Sequence, residues 1–175
     1  MTVSVKAPTS TTGSIQLNGS DVLTIDSSGN VTAPNKLIST GHVLQVVSVT
    51  TTAYNNTTSA TYIDSGLTLS ITPSSSSNKI LVFANVNGTR KANNTALRLQ
   101  LVRGATVLSI FDTIIGYTNT TTTNSVGTSG LSYLDSPATT SSTTYKIQFS
   151  SSDGASVVEL NAGASSTITL MEVAG

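Results

Sequence analysis

The sequence predicts an all-β protein: a jelly-roll-like antiparallel β-sandwich preceded by a short-stranded N-terminal β-arm. From about residue 42 onward the apolar residues fall at alternate positions, as in Leu97-Arg98-Leu99-Gln100-Leu101. A period of two sends Leu97, Leu99 and Leu101 to a core and Arg98 and Gln100 to water. Turn residues punctuate these runs, and no long stretch carries the 3.6-residue apolar period of an amphipathic helix. About a third of the 175 residues are Ser or Thr, 37% are hydrophobic and only 9% are charged. That neutral, hydroxyl-rich composition suits a rigid, outward-facing β protein.

Residues 1–40 form the first predicted unit. Between Gly13 and Pro34, apolar bursts of three to five residues alternate with Asn18-Gly19, Ser28-Gly29 and Gly29-Asn30 turn signals. Strands this short make no independent core in one chain, so several copies intertwined about a common axis are expected. Pro34, Asn35 and Lys36 mark the junction to a head domain, residues 41–175. Eight strands are expected there: 43–50, 60–71, 79–87, 94–103, 106–115, 129–134, 143–150 and 156–173, the last split at Asn161-Ala162-Gly163-Ala164. The breaks carry turn chemistry at Pro73–Asn78, Asn87-Gly88, Arg103-Gly104, Ser136-Pro137 and Ser152-Asp153-Gly154. Eight short strands suit a jelly roll, although strand order is not readable from them.

Composition narrows the function classes. Eight basic and eight acidic residues give zero formal net charge, and the cations are grouped only at Arg90-Lys91; a nucleic-acid backbone needs more. There is no Cys, hence no disulfide and no thiol nucleophile. Ile80–Ala84, the longest apolar run, is far below the roughly 20 residues of a membrane span, so no insertion is expected. Met1–Pro8 shows no apolar signal region. Release by lysis reconciles that with an outward-facing composition.

No catalytic, cofactor-binding or metal-ligating set emerges. The single His, His42, lies beside Gly41 at the start of a strand and is read as a strand-edge residue, since a relay needs positioned partners and zinc needs three or four ligands. Asp64 and Asp135 precede Ser65-Gly66 and Ser136-Pro137, and Asp153 precedes Gly154; all three read as turn residues bonding nearby backbone N–H groups. Glu172 is expected to be solvated or to meet a cation of another chain. Asp21 and Asp26 lie in no loop that collects the acids calcium requires.

Three polar connections supply candidate surface contacts. The stretch Asn87–Thr95 holds Arg90, Lys91, Asn93 and Asn94 and reads first as a solvated hairpin tip, with contact to an acidic cell-surface glycan as the functional alternative. The connection from Asp112 to Ser125 offers Tyr117 and Asn119, and Tyr54 stands beside Asn55-Asn56. Tyr among Asn and Thr suits an amphipathic contact surface, and a flexible low-complexity loop is the equal alternative.

Several segments together resemble small tail-fibre-like or virion-surface proteins of marine and freshwater bacteriophages. They are Val43–Ser48, Thr61–Leu67, Ile71–Ser74, Leu101–Thr106, Ser132–Pro137 and Thr167–Val173, with residues 13–34 similar to Gly-Ser-Ile-x-Leu-Asn-Gly leader repeats. The resemblance implies a non-enzymatic homotrimer on the virion surface, docked on other virion proteins of tail or capsid by its N-terminal arm and reaching toward the host. Alternatives are a capsid decoration or head-fibre protein and a carbohydrate-binding β-sandwich module. A hydrolase fits least, because the carboxylates are scattered and aromatics are 5%.

Overall fold

The computed structural model describes residues 3–6, 13–17, 20–26, 28–32 and 40–175, and the chain divides into two compact units, Met1–Ser39 and Thr40–Gly175. Among the described residues every regular element is a strand and none is a helix. The molecule is all-β, and its sheets are antiparallel.

In the first unit β1 (Val3–Lys6), β2 (Gly13–Leu17), β3 (Ser20–Ile25) and β4 (Val31–Thr32) form one sheet in the order β1-β2-β3-β4. The strands pair with one another inside a single chain. Asp26 builds the turn before β4: its carboxylate accepts from the N–H of Ser28 and of Asn30, each at 2.9 Å, and Gly29 supplies the left-handed conformation at φ 84°. A single-layer sheet by itself buries neither face. None of its described side chains is buried, and Val31 is 60% exposed. The Asn18-Gly19 signal and the Pro34–Lys36 junction lie outside the described residues.

The second unit contains β5 (Val43–Thr51), β6 (Asn55–Thr57), β7 (Ile63–Ile71), β8 (Lys79–Lys91), β9 (Leu97–Arg103), β10 (Thr106–Ile115), β11 (Asn124–Asp135), β12 (Thr143–Ser151), β13 (Val158–Leu160) and β14 (Ser166–Val173). One sheet runs β10-β9-β12-β7. In the other, β14 pairs with both β5 and β8, β13 with both β6 and β8, and β11 with the opposite edge of β8. Thus β5 and β6 are two halves of one interrupted strand, and so are β13 and β14. Eight strands remain, paired first with last and inward: β5/β6 with β13/β14, β7 with β12, β8 with β11, β9 with β10. That is a long antiparallel hairpin rolled into two sheets, a jelly roll. Its tip is the Arg103–Thr106 turn, where Gly104 takes φ 57° and donates its N–H to Thr144 O at 2.9 Å.

Alternation builds the core. Leu67 and Ile71 of β7, Ile80, Val82, Ala84 and Val86 of β8, and Leu97, Leu99 and Leu101 of β9 face inward. Opposite or beside them lie Tyr145, Ile147 and Phe149 of β12 and Ile168 and Leu170 of β14. Gln100 departs from the expectation that it faces water. It is 6% exposed and donates to Gln148 Oε1 at 2.7 Å; Gln148 in turn donates to Asp64 Oδ1 at 2.6 Å. A chain of side-chain amides thus covers the outer side of β9.

The Asn87-Gly88 pair is not a turn between strands. β8 runs through it to Lys91, and Gly88 adopts φ 59° inside the strand while the pairing to β11 shifts register nearby. A bulge and a hairpin draw on the same local chemistry, so the dipeptide alone does not separate them. β11 is also longer than expected, beginning at Asn124.

Candidate functional site

Rolling the hairpin brings four connections to one end of the jelly roll: residues 58–62, 92–96, 116–123 and 152–157. Backbone bonds tie them, from Ala92 N to Val157 O at 2.8 Å, Ser151 N to Ser59 O at 2.8 Å and Ser152 N to Ala96 O at 2.9 Å. Arg90, Lys91, Asn93, Asn94, Tyr117, Asn119 and Tyr54 all fall at or near this end, though they span 66 positions in the chain. The sequence supplied the residues; the winding supplies their proximity.

Lys91 is not an exposed contact. It is fully buried at the end of β8, and no carboxylate pairs with it among the described residues. Its Nζ donates to Asn93 O and to the Thr118 hydroxyl, and reaches Thr120 O at 3.5 Å. The ammonium therefore ties the 92–96 connection to the 116–123 connection, and charge-assisted bonds to neutral oxygens offset its desolvation. Gly116 packs over its stem, where a Cβ would sit 3.2 Å from Lys91 Cγ. Asn93 (φ 57°) and Asn94 are exposed, as are Asn119 and Tyr117, the last at 55%.

Arg90 belongs to a second group. It lies opposite Glu159 of β13 and makes an ion pair with it at 3.8 Å. Tyr54, 54% exposed, stands just before β6, which pairs with β13. Its phenol is pushed up, first by desolvation and then by the Glu159 carboxylate. The interruptions of β5/β6 and β13/β14 fall at one level of the sheet, beside the Gly88 bulge. They leave an open hollow of about 590 Å³ lined by Thr52, Tyr54, Asn161, Gly163, Ala164 and Ser165. The sequence marked Tyr54 and the break at 161–164 separately, and nothing local says that the two breaks are neighbours.

Three carboxylates expected at turns or in solvent have other work. Asp135 is 6% exposed; both its oxygens accept from Arg103 Nη1 at 2.9 and 2.7 Å, and Oδ2 also accepts from the Tyr145 hydroxyl at 2.6 Å. Burial and then Asp135 push the Tyr145 phenol far up, so it remains a donor. Asp64 accepts across the sheet from Lys146 and Gln148, which hold its carboxyl low, Gln148 first. Glu172 is 1% exposed and meets no cation among the described residues; Oε1 accepts from Ser74 N, Ser74 Oγ and Asn78 Nδ2 at 2.6, 2.8 and 2.6 Å, and Oε2 from Gln45 Nε2 at 2.6 Å. Burial raises its pKa, but the donors of Asn78, Gln45 and Ser74 prevail and hold it at about 2. Asp153 does cap its turn, accepting from the N–H of Ala155 and Ser156 at 3.0 and 2.9 Å.

The charged groups of these clusters are met by nearby donors and acceptors, charged or neutral, and hold connections in place. Among the described residues no group of three His, Cys, Asp or Glu is placed to hold a metal ion.

No family model matches the chain, and no curated protein sequence matches it either. A solved structure of the infectious bursal disease virus VP2 subviral particle is similar at 13% identity and a TM-score of 0.38, over 94% of this chain and 47% of that one. This chain spans about half the length of that neighbour. At that score the likeness carries no weight for function, and the jelly roll stands on the strand pairing itself.

Proposed function

We propose that the protein is a non-enzymatic structural protein of a phage virion, a homotrimer of tail-fibre-like character. Residues 1–40 dock it on other virion proteins, and the loop-bearing end of its jelly roll meets a host-surface glycan. The observation that carries the assembly is the outer face of the sheet containing β5, β14, β8 and β11. Cross-strand register puts Val46, Met171, Leu81 and Leu134 in one row across it. The next row is Ser48, Thr169, Phe83 and Ser132, and the next Thr50, Thr167, Asn85 and Gly130. Val46 and Leu134 are each 51% exposed. Lys79, beside Val173, is the one charge added by a fourth row.

Four strands at about 4.8 Å and four rows at about 6.8 Å span on the order of 500 Å². That is most of the roughly 800 Å² each partner gives a standard interface. A second copy of this chain suits the face, because one charge per copy leaves little repulsion and the hydroxyl ladders need no ionic partner. Closed threefold packing also covers the sheet edges.

Light scattering of the full chain tests the reading. A mass near three times 17.9 kDa is expected, and Val46→Lys with Leu134→Lys should yield a monomer that keeps its β-sheet circular dichroism. A wild-type monomer across micromolar concentrations overturns it. Cryo-microscopy of the intact particle then distinguishes a tail fibre from a capsid decoration.

A further inference from the structure

The hollow beside Tyr54 combines an exposed aromatic ring, a floor of small residues and a frame whose own polar groups are already bonded. The frame is rigid for identifiable reasons. Asn161 is 4% exposed, sits at φ 57°, and spends its side-chain amide on Ala53 O at 2.8 Å. Its N–H donates to Asn87 O at 2.9 Å, and Ala162 N–H to Gly88 O at 3.1 Å. The backbone at 161–162 approaches β8 so closely that a Cβ on Gly88 would lie 2.6 Å from Ala162 N. The floor is Gly163, where a Cβ would meet nothing within 4 Å, and Ala164. At about 590 Å³ the space falls inside the roughly 300–1,000 Å³ range of small-ligand sites. The neighbouring charges, Arg90 and Glu159, are paired with each other at 3.8 Å.

We propose that this hollow is a subsite for an uncharged pyranose unit of a glycan. The Tyr54 ring takes the apolar C–H face of the sugar, and the Thr52 and Ser165 side chains face its hydroxyls. An aromatic face is sequence-tolerant apolar area with a polar tip, and hydroxyl side chains donate and accept as a sugar requires. Arg90 and Glu159 together leave no net charge beside the hollow, so an anionic sugar gains little over a neutral one there. The proposal rests on the surface-contact part of the function above and gives it a place and a ligand class.

The test is titration of the isotope-labelled full chain with methyl glycosides of glucose, galactose and mannose, with N-acetylglucosamine, and with sialic acid as the anionic comparison. Weak, millimolar binding of at least one neutral sugar is expected, at an affinity ordinary for so small a contact. Amide shifts should centre on Thr52, Tyr54, Gly163 and Ser165. Tyr54→Phe should bind within about threefold of wild type, and Tyr54→Ala about tenfold more weakly, the worth of one aromatic contact. No shift with any neutral sugar, shifts centred elsewhere, or preference for sialic acid overturns the subsite. Light scattering of the same samples separates the two readings: a trimer without sugar binding sinks the subsite alone, while a sugar-binding monomer supports the subsite and sinks the assembly.

Discussion

Replacing Glu172 by Gln isolates the effect of one buried carboxylate held by neutral donors. In the wild type, three donors converge on Oε1 and one on Oε2. An amide keeps one acceptor oxygen but turns its nitrogen toward a donor, and Gln45 is already committed to Thr72 O at 2.8 Å. The folded pKa of about 2 lies below the ordinary 4.5. A depressed carboxylate stabilises the fold above its unfolded pKa and loses that contribution as pH falls through the folded value. A gap of about 2.5 units is worth about 3 kcal/mol at neutral pH. For a domain of this size that is a melting temperature lower by about 10 °C. Calorimetry of Glu172→Gln beside wild type at fixed protein concentration, from pH 7 to pH 2, reads it directly. The gap should be widest at pH 7 and should close between pH 5 and pH 2 as wild-type Glu172 takes up its proton. A gap that stays constant over that range, or no gap at pH 7, refutes the reasoning.

Asp135→Asn should cost about 3 kcal/mol by chemical denaturation, because it leaves Arg103 without its buried partner; Tyr145→Phe, which removes one bond, should cost about 1 kcal/mol. Gly88→Ala should destabilise far more than Gly104→Ala, although φ is 59° and 57° at the two sites. A Cβ at Gly104 meets nothing within 4 Å and costs only the left-handed strain of about 1 kcal/mol, while one at Gly88 also collides with the 161–162 backbone. Lys91→Met keeps most of the stem volume but frees the connections it ties, so hydrogen exchange at 92–96 and 116–123 should quicken while the β8 interior stays protected. Unchanged exchange there would show that the ammonium ties nothing.

Strand identity was legible wherever alternation was clean. Leu97, Leu99 and Leu101 face inward as their spacing dictates, and the turns at Arg103-Gly104 and Ser152-Asp153-Gly154 are where their chemistry puts them. Long-range pairing was not legible. Asp135 meets Arg103 across 32 positions and Glu172 meets Asn78 across 94, and no local signal distinguishes such a carboxylate from a turn residue or a solvated one. Lys91 carried the strongest surface signal in the chain, a charge beside Arg90 in an Asn-rich stretch, yet Thr118 and Thr120 close over it from another connection. The hollow beside Tyr54 likewise depends on two breaks meeting, which strand order decides.

The position of β14 has a consequence for how the chain is made. β14, made after every other strand of this jelly roll, occupies the middle of a sheet, with β5 on one flank and β8 on the other. Until it arrives, two early strands wait with open edges that invite wrong partners. Translation that stops short of residue 166 therefore leaves no smaller working domain, only an aggregation-prone fragment.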